Sequence, residues 1–326
     1  MKLFVAYLLF GAAFFTGCSL IDEDRSDCGK QQEVNYSLDL VTNLTTEIVT
    51  ELGQSADVSA RAALQDYLKT IFTEKAHDVD LSFYDVEADS VRLFHEREIM
   101  DADHSSYTLY IPARRYMHLA LANVEKNGAV RVEGDGYCAR SRFVLAEKDT
   151  VDSQRTGLFS ARLPMDIKAG EDQQFDVTLY MVNCAVALVA DTLETGLRDL
   201  TAYASGFSDG FSIRDSVYHY DTNPVVRMDR LPLDSPGEVC LATVTFPSRP
   251  ATRADDACWD LDVYATTQSG SITRTRLDVQ EPVEAGELRI IKVSALPDGS
   301  LEPRKSSVGA SVALDWNPGT EEEIPL

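Results

Sequence analysis

The sequence lacks the marks of catalysis. Its five histidines, His77, His95, His104, His118 and His219, stand apart from one another and from the cysteines. The HEREI segment at His95 has no second histidine four residues on, which a zinc-protease helix requires. Neither a nucleophile elbow nor a glycine-rich phosphate loop is expected, and the six cysteines include no CxxC pair. These gaps leave no catalytic residue, cofactor or metal ligand to name. Positive charge is scarce as well: 30 Lys and Arg stand against 53 Asp and Glu, for a formal charge of −23. That balance argues against nucleic acid and anionic lipid headgroups as partners, and suits solubility outside a cell. Long apolar runs are also missing. The longest, Leu3–Phe15 (LFVAYLLFGAAFF), has 13 residues, short of the ~20 that a helix needs to cross a bilayer.

What is present begins with that run. Met1 and Lys2 give it a positive start and Thr16-Gly17-Cys18 ends it with small residues, the layout of a secretory signal peptide over residues 1–17. Thr16-Gly17-Cys18 resembles the bacterial lipobox, whose cysteine is acylated and becomes the first residue of the mature chain; Phe15 departs from the usual leucine. Ordinary signal cleavage and an uncleaved anchor are the alternatives. Lipid on Cys18 holds a protein at a membrane through buried CH₂ groups worth ~0.8 kcal/mol each. Residues 18–33, with the acidic patch Asp22, Glu23 and Asp24, read as a tether.

The mature length suits two ordinary domains, and the polar stretch PMDIKAGEDQQ (164–174) divides them into 34–167 and 168–326. Strand patterns dominate both. Val34, Tyr36, Leu38 and Leu40 alternate strictly with polar residues, as do Tyr107–Ile111 before Pro112. Further strands are expected at Val79–Val86, Met117–Val124, Gly157–Leu163, Phe175–Val182, Ala185–Ala190, Val239–Phe246, Glu287–Ala295 and Val308–Trp316. Trp259–Thr266 and Ser271–Val279 read as a hairpin turning at Ser269-Gly270. Ala56–Ala76 alone reads as helix, with Ala63, Leu64, Tyr67, Leu68, Ile71 and Phe72 on one face and Asp57 or Ser59 as cap. One helix among many short strands means an all-β sandwich architecture.

Other features have plain readings. The carboxylate pairs Asp78/Asp80, Asp101/Asp103 and Asp260/Asp262 fit no calcium loop, and the last should face solvent while Trp259, Leu261 and Val263 face the core. With Cys18 lipidated, Cys28, Cys138, Cys184, Cys240 and Cys258 form an odd set. Cys184 and Cys240 read as small core residues, with a Cys240–Cys258 bridge possible on spacing. Tyr203, Phe207, Phe211, Tyr218 and Tyr220 are candidates for an exposed binding stripe, although such spacing is more often core. Asp-Ser/Thr-aliphatic triplets at Asp89, Asp149, Asp191 and Asp215 resemble the O-glycan acceptor motif of Bacteroidota, and equally suit turns.

CSLIDEDRSDC after the apolar run, the strands VDLSFYDV and SYTLYIPARRYMHLALANV, and the ending SVGASVALDWNPGTEEEIPL together resemble the FimB-like fimbrial anchor proteins of Bacteroidales. The resemblance implies two transthyretin-like β-sandwich domains; the helical Ala56–Ala76 segment is an insert in the first that departs from the family. The resemblance also implies an outer-membrane lipoprotein at the base of a fimbria, facing the cell exterior, with a shaft subunit as protein partner and no cofactor or catalysis. Under it, Asp22, Glu23 and Asp24 form the surface-export signal. Shafts of this kind are built by strand exchange: proteolysis after a basic residue strips the first strand from a shaft subunit, whereas an anchor keeps it. Here Arg25 and Lys30 precede Val34–Leu40, and no Lys or Arg follows until Arg61. A surface adhesin or glycan-binding lipoprotein is the alternative, and an enzyme the reading with least support.

Overall fold

The computed structural model describes residues 31–40, 58–72, 76, 78–85, 92–98, 106–125, 127–133, 142–146, 150–192, 197–234, 237–253, 256–303 and 310–313. The leader, Cys18, Asp22, Glu23, Asp24, Cys28, Cys138, the triplet at Asp89 and Asp149 itself lie outside the described residues.

Among the described residues strands make up nearly all regular structure, in four sheets. Numbered in chain order, the seven-stranded sheet runs β3 (Arg92–Glu98), β2 (Val79–Asp85), β5 (Arg115–Ala122), β9 (Phe159–Asp166), β10 (Gln173–Met181), β1 (Gln31–Leu40), β4 (Ser106–Pro112). A four-stranded sheet covers part of its outer side: β14 (Val217–His219), β13 (Gly210–Ser212), β7 (Arg142–Leu145), β6 (Val130–Glu133). Their shared core holds Leu119, Leu121, Phe143, Phe211 and Phe246. The six-stranded sheet runs β16 (Asp229–Leu231), β17 (Glu238–Thr245), β11 (Cys184–Asp191), β20 (Glu287–Ala295), β21 (Leu301–Pro303), with β22 (Ala310–Ala313) also on β20. It packs through Val186, Leu188, Leu241 and Val293 onto a five-stranded sheet: β19 (Ile272–Val279), β18 (Trp259–Thr266), β12 (Asp199–Ser205), β15 (Val225–Arg227), β8 (Thr150–Val151). The fold is thus two β-sandwiches, as the strand patterns implied.

The helix α1 (Val58–Ile71) lies between them. Ala60, Leu64, Leu68 and Ile71 join the inner face of the seven-stranded sheet to Ala187, Ala242, Val244 and Ile290 of the six-stranded sheet in one continuous core. Ser59 does not cap the helix; its hydroxyl accepts from the Asp234 amide at 3.2 Å. Tyr67 bonds Ser153 at 2.7 Å and donates to Asp229 at 3.2 Å. The helix ends against Gly157, whose amide donates to the Ile71 carbonyl at 2.9 Å. A Cβ at Gly157 would sit 2.4 Å from the Phe72 ring, so only glycine lets the two segments approach this closely.

Neither sandwich is built from one half of the sequence. β8 pairs with β15 in the second sandwich, and β13 pairs with β7 in the first. The boundary at 167/168 falls between β9 and β10, which are neighbours in one sheet; the chain leaves that sheet at Val182–Asn183. Between the sandwiches, Asn123, Asn127, Thr156, Asn183 and Gln154 are buried polar residues. Asn183 accepts from the Leu158 amide at 2.5 Å, and Asn123 donates to the Gly157 carbonyl at 3.0 Å. These bonds satisfy a buried connecting segment that has no sheet to do so.

Candidate functional site

β1 is where the expected site residues meet the structure. Its ten residues are paired on both sides, parallel to β10 over Val34–Leu40 and antiparallel to β4 over Gln31–Ser37. Strict alternation explains the placement. Val34, Tyr36 and Leu38 point inward, 1%, 1% and 5% exposed. Glu33, Asn35 and Asp39 face solvent, and Ser37 donates to Asp176 on β10. Leu40 stands opposite Leu179 in the register.

Beneath β1 a neutral polar pair is buried. Tyr36 Oη lies 2.6 Å from His118 Nε2, and His118 Nδ1 lies 3.0 Å from the Ser82 carbonyl oxygen. A carbonyl can only accept, so Nδ1 carries the ring proton, Nε2 is bare, and the Tyr36 phenol donates to it. Phe83 stacks on the imidazole at 4.3 Å between centroids, and Tyr36 meets its edge at 5.4 Å. Burial pushes His118 down to about 4, an effect the Ser82 bond partly opposes. Burial also pushes the Tyr36 phenol far up, helped by Tyr107 nearby. Both groups are therefore uncharged across the physiological range. The pair ties β1 to β5 and β2, strands that it does not touch by backbone pairing. Sequence reading gave His118 no role. The signal was available: Tyr116, His118, Ala120 and Ala122 alternate onto the inner face, and a buried imidazole requires a partner.

On the far side of β10 from β1 the sheet is incomplete. β9 and β10 pair only at Tyr180–Ser160 and Met181–Phe159. At that seam a groove of about 710 Å³ opens, lined by Arg162, Leu163, Val177 and Thr178 of the two strands and walled by Phe211, Asp215, Ser216 and Tyr218 of the β13–β14 hairpin.

The remaining candidates have structural employment. Asp78 is buried and its carboxylate accepts from the Val124 and Glu125 amides at 3.0 and 3.2 Å, while Asp80 accepts from Ser82 at 3.1 Å. Asp260 and Asp262 lie on the outer face, as expected, paired with Arg276 at 3.2 Å and Arg274 at 2.8 Å. Asp101 and Asp103 lie outside the described residues. Among the described residues no cluster of His, Cys, Asp and Glu could hold a metal ion. Cys184, Cys240 and Cys258 are free and buried, which corrects the Cys240–Cys258 bridge. Cys240 lies in the core shared with α1 and Cys258 in the core of the second sandwich, so the six-stranded sheet separates them. Burial raises the Cys240 thiol to about 12 and the Cys184 thiol well above its ordinary value, leaving both unreactive.

The exposed aromatic stripe is not formed. Phe207 and Phe211 are buried, Tyr218 and Tyr220 donate to the Val182 and Ser248 carbonyls at 2.9 and 2.7 Å, and Tyr203 packs edge-on against Tyr264. The sequence reading passed over one GxSxG spacing, Gly206–Gly210. Its Ser208 is buried and donates to the Gly210 and His219 carbonyls at 2.7 and 2.8 Å, in a strand connection rather than the strand-to-helix turn of an elbow. Ser212 Oγ lies 2.6 Å from His219 Nε2 across the β13–β14 hairpin, a contact within one short turn that lacks the third, orienting group of a triad among the described residues. Asp215-Ser216 sits exposed at that hairpin's turn, where Ser216 has φ of 52°.

No protein-family model and no curated protein matches the sequence. Solved structures do match. The fimbrial anchor protein Mfa2 of Porphyromonas gingivalis superposes with a TM-score of 0.50 at 11% identity, over 84% of this chain and 95% of that one. The fold is shared with a fimbrial anchor. A candidate polysaccharide-binding protein of Bacteroides thetaiotaomicron gives 0.53 at 11% identity, over 84% and 98% of the two chains. A candidate adhesin of Bacteroides ovatus gives 0.51 at 14%, over 90% and 99%. The resemblance read from the sequence thus holds for the fold, although most of the two chain ends that carried much of it, all but Ala310–Ala313, lies outside the described residues.

Proposed function

We propose that this chain is the lipid-tethered anchor subunit of a surface fimbria, a structural protein that keeps its first strand. The observation carrying this reading is the position of β1: an interior strand, paired on both sides, with three side chains in the core and Tyr36 locked to His118. Removing it would leave two unpaired backbone rows above an open core. The stretch from Gln31 to Ala60 contains no Lys or Arg, which supports retention against a protease that cuts after basic residues. The fold shared with Mfa2 supports the fimbrial assignment. In this reading residues 1–17 are removed, Cys18 carries the lipid, Asp22, Glu23 and Asp24 select the outer face of the outer membrane, and a shaft subunit is the partner. Mass spectrometry of the cell-associated protein should find one unbroken chain from acylated Cys18 through Arg61, and shear-released fimbriae should carry it. An N-terminus between Lys30 and Arg61 would make it a shaft or tip subunit instead.

A surface adhesin is the second reading. It is favoured by the fold shared with candidate adhesins and by Tyr110, 53% exposed beside Glu33 on the polar outer face of β1 and β4. Glycan binding by the purified chain that is lost in Tyr110→Ala would select it.

A further inference from the structure

The opening between β9 and β10 has the form of a strand slot. β9 and β10 are consecutive antiparallel strands, yet their ladder stops after Tyr180–Ser160 and Met181–Phe159. The far end is closed by a side chain: Gln173 donates to the Asp166 carbonyl at 3.0 Å and accepts from the Lys168 amide at 2.7 Å. Between these closures the walls remain regular strands. β9 is fully paired with β5 on its other side, from Phe159 to Asp166, and β10 with β1 from Gln173 to Leu179. Each wall therefore turns a row of backbone N–H and C=O groups toward the groove, with no strand against it among the described residues.

The molecule contains a filled slot of the same kind. β1 lies between β10 and β4, parallel to one and antiparallel to the other. An extended segment between β9 and β10 would have the same relation to its walls, because β9 and β10 are mutually antiparallel. Asp176 is already occupied by Ser37 and Gln174, and the rest of the lining is mixed, with Ser160, Arg162 and Thr178 beside Ala161, Leu163 and Val177 along the two strands. We propose that the β9–β10 seam is a second strand-binding slot, accepting an extended segment of a partner protein with apolar residues at alternate positions, as in β1. Main-chain bonds to both walls would supply affinity, and the alternate apolar side chains would meet Leu163 and Val177. Arg162, exposed on the β9 wall and in no ion pair among the described residues, adds a preference for an acidic residue on the outer face. This inference concerns a slot distinct from the one β1 fills and stands whether or not the anchor reading does.

The test uses the full mature chain with Cys18→Ala and a ten-residue probe peptide of β1 sequence, QQEVNYSLDL. Hydrogen exchange should show fast amides along the seam sides of β9 and β10 in the free protein, protected when the peptide saturates. Amides of β1 and β4 should not change. Arg162→Glu, a surface change, should weaken binding about threefold, the scale of an exposed ion pair. Three results would overturn the proposal: no saturable binding, protection at β4 with loss of β1, which means exchange into the filled slot, or seam amides already protected in the free protein. The last would mean that a second copy or another segment of this chain occupies the seam.

Discussion

The two large sheets handle strand pairing differently. In the six-stranded sheet, β11 pairs with β17 from Cys184 to Asp191 and with β20 from Ala185 to Asp191, without a break. The seven-stranded sheet is two half-sheets, β3-β2-β5-β9 and β10-β1-β4, joined by two residue pairs. Burial accounts for the contrast. Every residue of β11 before Asp191 is buried, because α1 and the first sandwich cover one face and the five-stranded sheet the other. An unpaired backbone group there has no water to turn to and costs ~1–3 kcal/mol. The β10-β1-β4 half-sheet exposes Glu33, Asn35, Thr108 and Gln174 on its outer face, where water satisfies what a neighbouring strand does not. Continuity is obligatory in a layer covered on both faces and optional in one that is half wet.

That contrast can be broken at graded strengths. Ala187→Asp places a carboxylate in the joined core with no partner; the expected result is loss of the cooperative unfolding transition, whereas Asn35→Asp on the wet face of β1 should change stability by under about 0.5 kcal/mol. A folded Ala187→Asp protein with an unchanged urea midpoint would remove burial as the reason for the difference. Leu38→Ala in β1 leaves a cavity and should cost ~2–5 kcal/mol by denaturant unfolding.

Tyr36→Phe leaves His118 Nε2 bare and buried, and should cost ~1–3 kcal/mol while preserving the sheet. The same imidazole gives a pH signature. Its folded pKa of about 4 lies below the ordinary 6.5, so between those values the unfolded chain holds a proton that the folded chain lacks. Acid therefore favours unfolding, and up to about 3 kcal/mol should be lost from pH 7 to pH 4 through this group. Unfolding free energies of wild type and His118→Gln compared at both pH values isolate it; equal slopes would mean that His118 is not held neutral by the fold. The smallest effect is expected at the surface. Arg274→Ala breaks an ion pair with Asp262 on the exposed edge of the second sandwich and should cost less than about 1 kcal/mol.

Local pattern determined a good deal by itself. The alternation of Val34, Tyr36 and Leu38 set which face of β1 is buried, and the turn near Gly270, at φ of 84°, set the hairpin of β18 and β19. The spacing of Leu64, Leu68 and Ile71 set the buried stripe of α1. Side-chain period and turn chemistry are properties of neighbouring residues, so a sequence states them directly. Tertiary structure decided what lies opposite. Tyr36 and His118 are 82 residues apart, and neither segment names the other. The crossing of β8 and of β13 between sandwiches, and the sheet that keeps Cys240 from Cys258, follow from how finished strands pack, as does the seam between β9 and β10. Those two strands are adjacent in the chain and carry turn residues that suit a closed hairpin. They part, each paired over a long run on its other side, and no local signal records where the ladder between them stops.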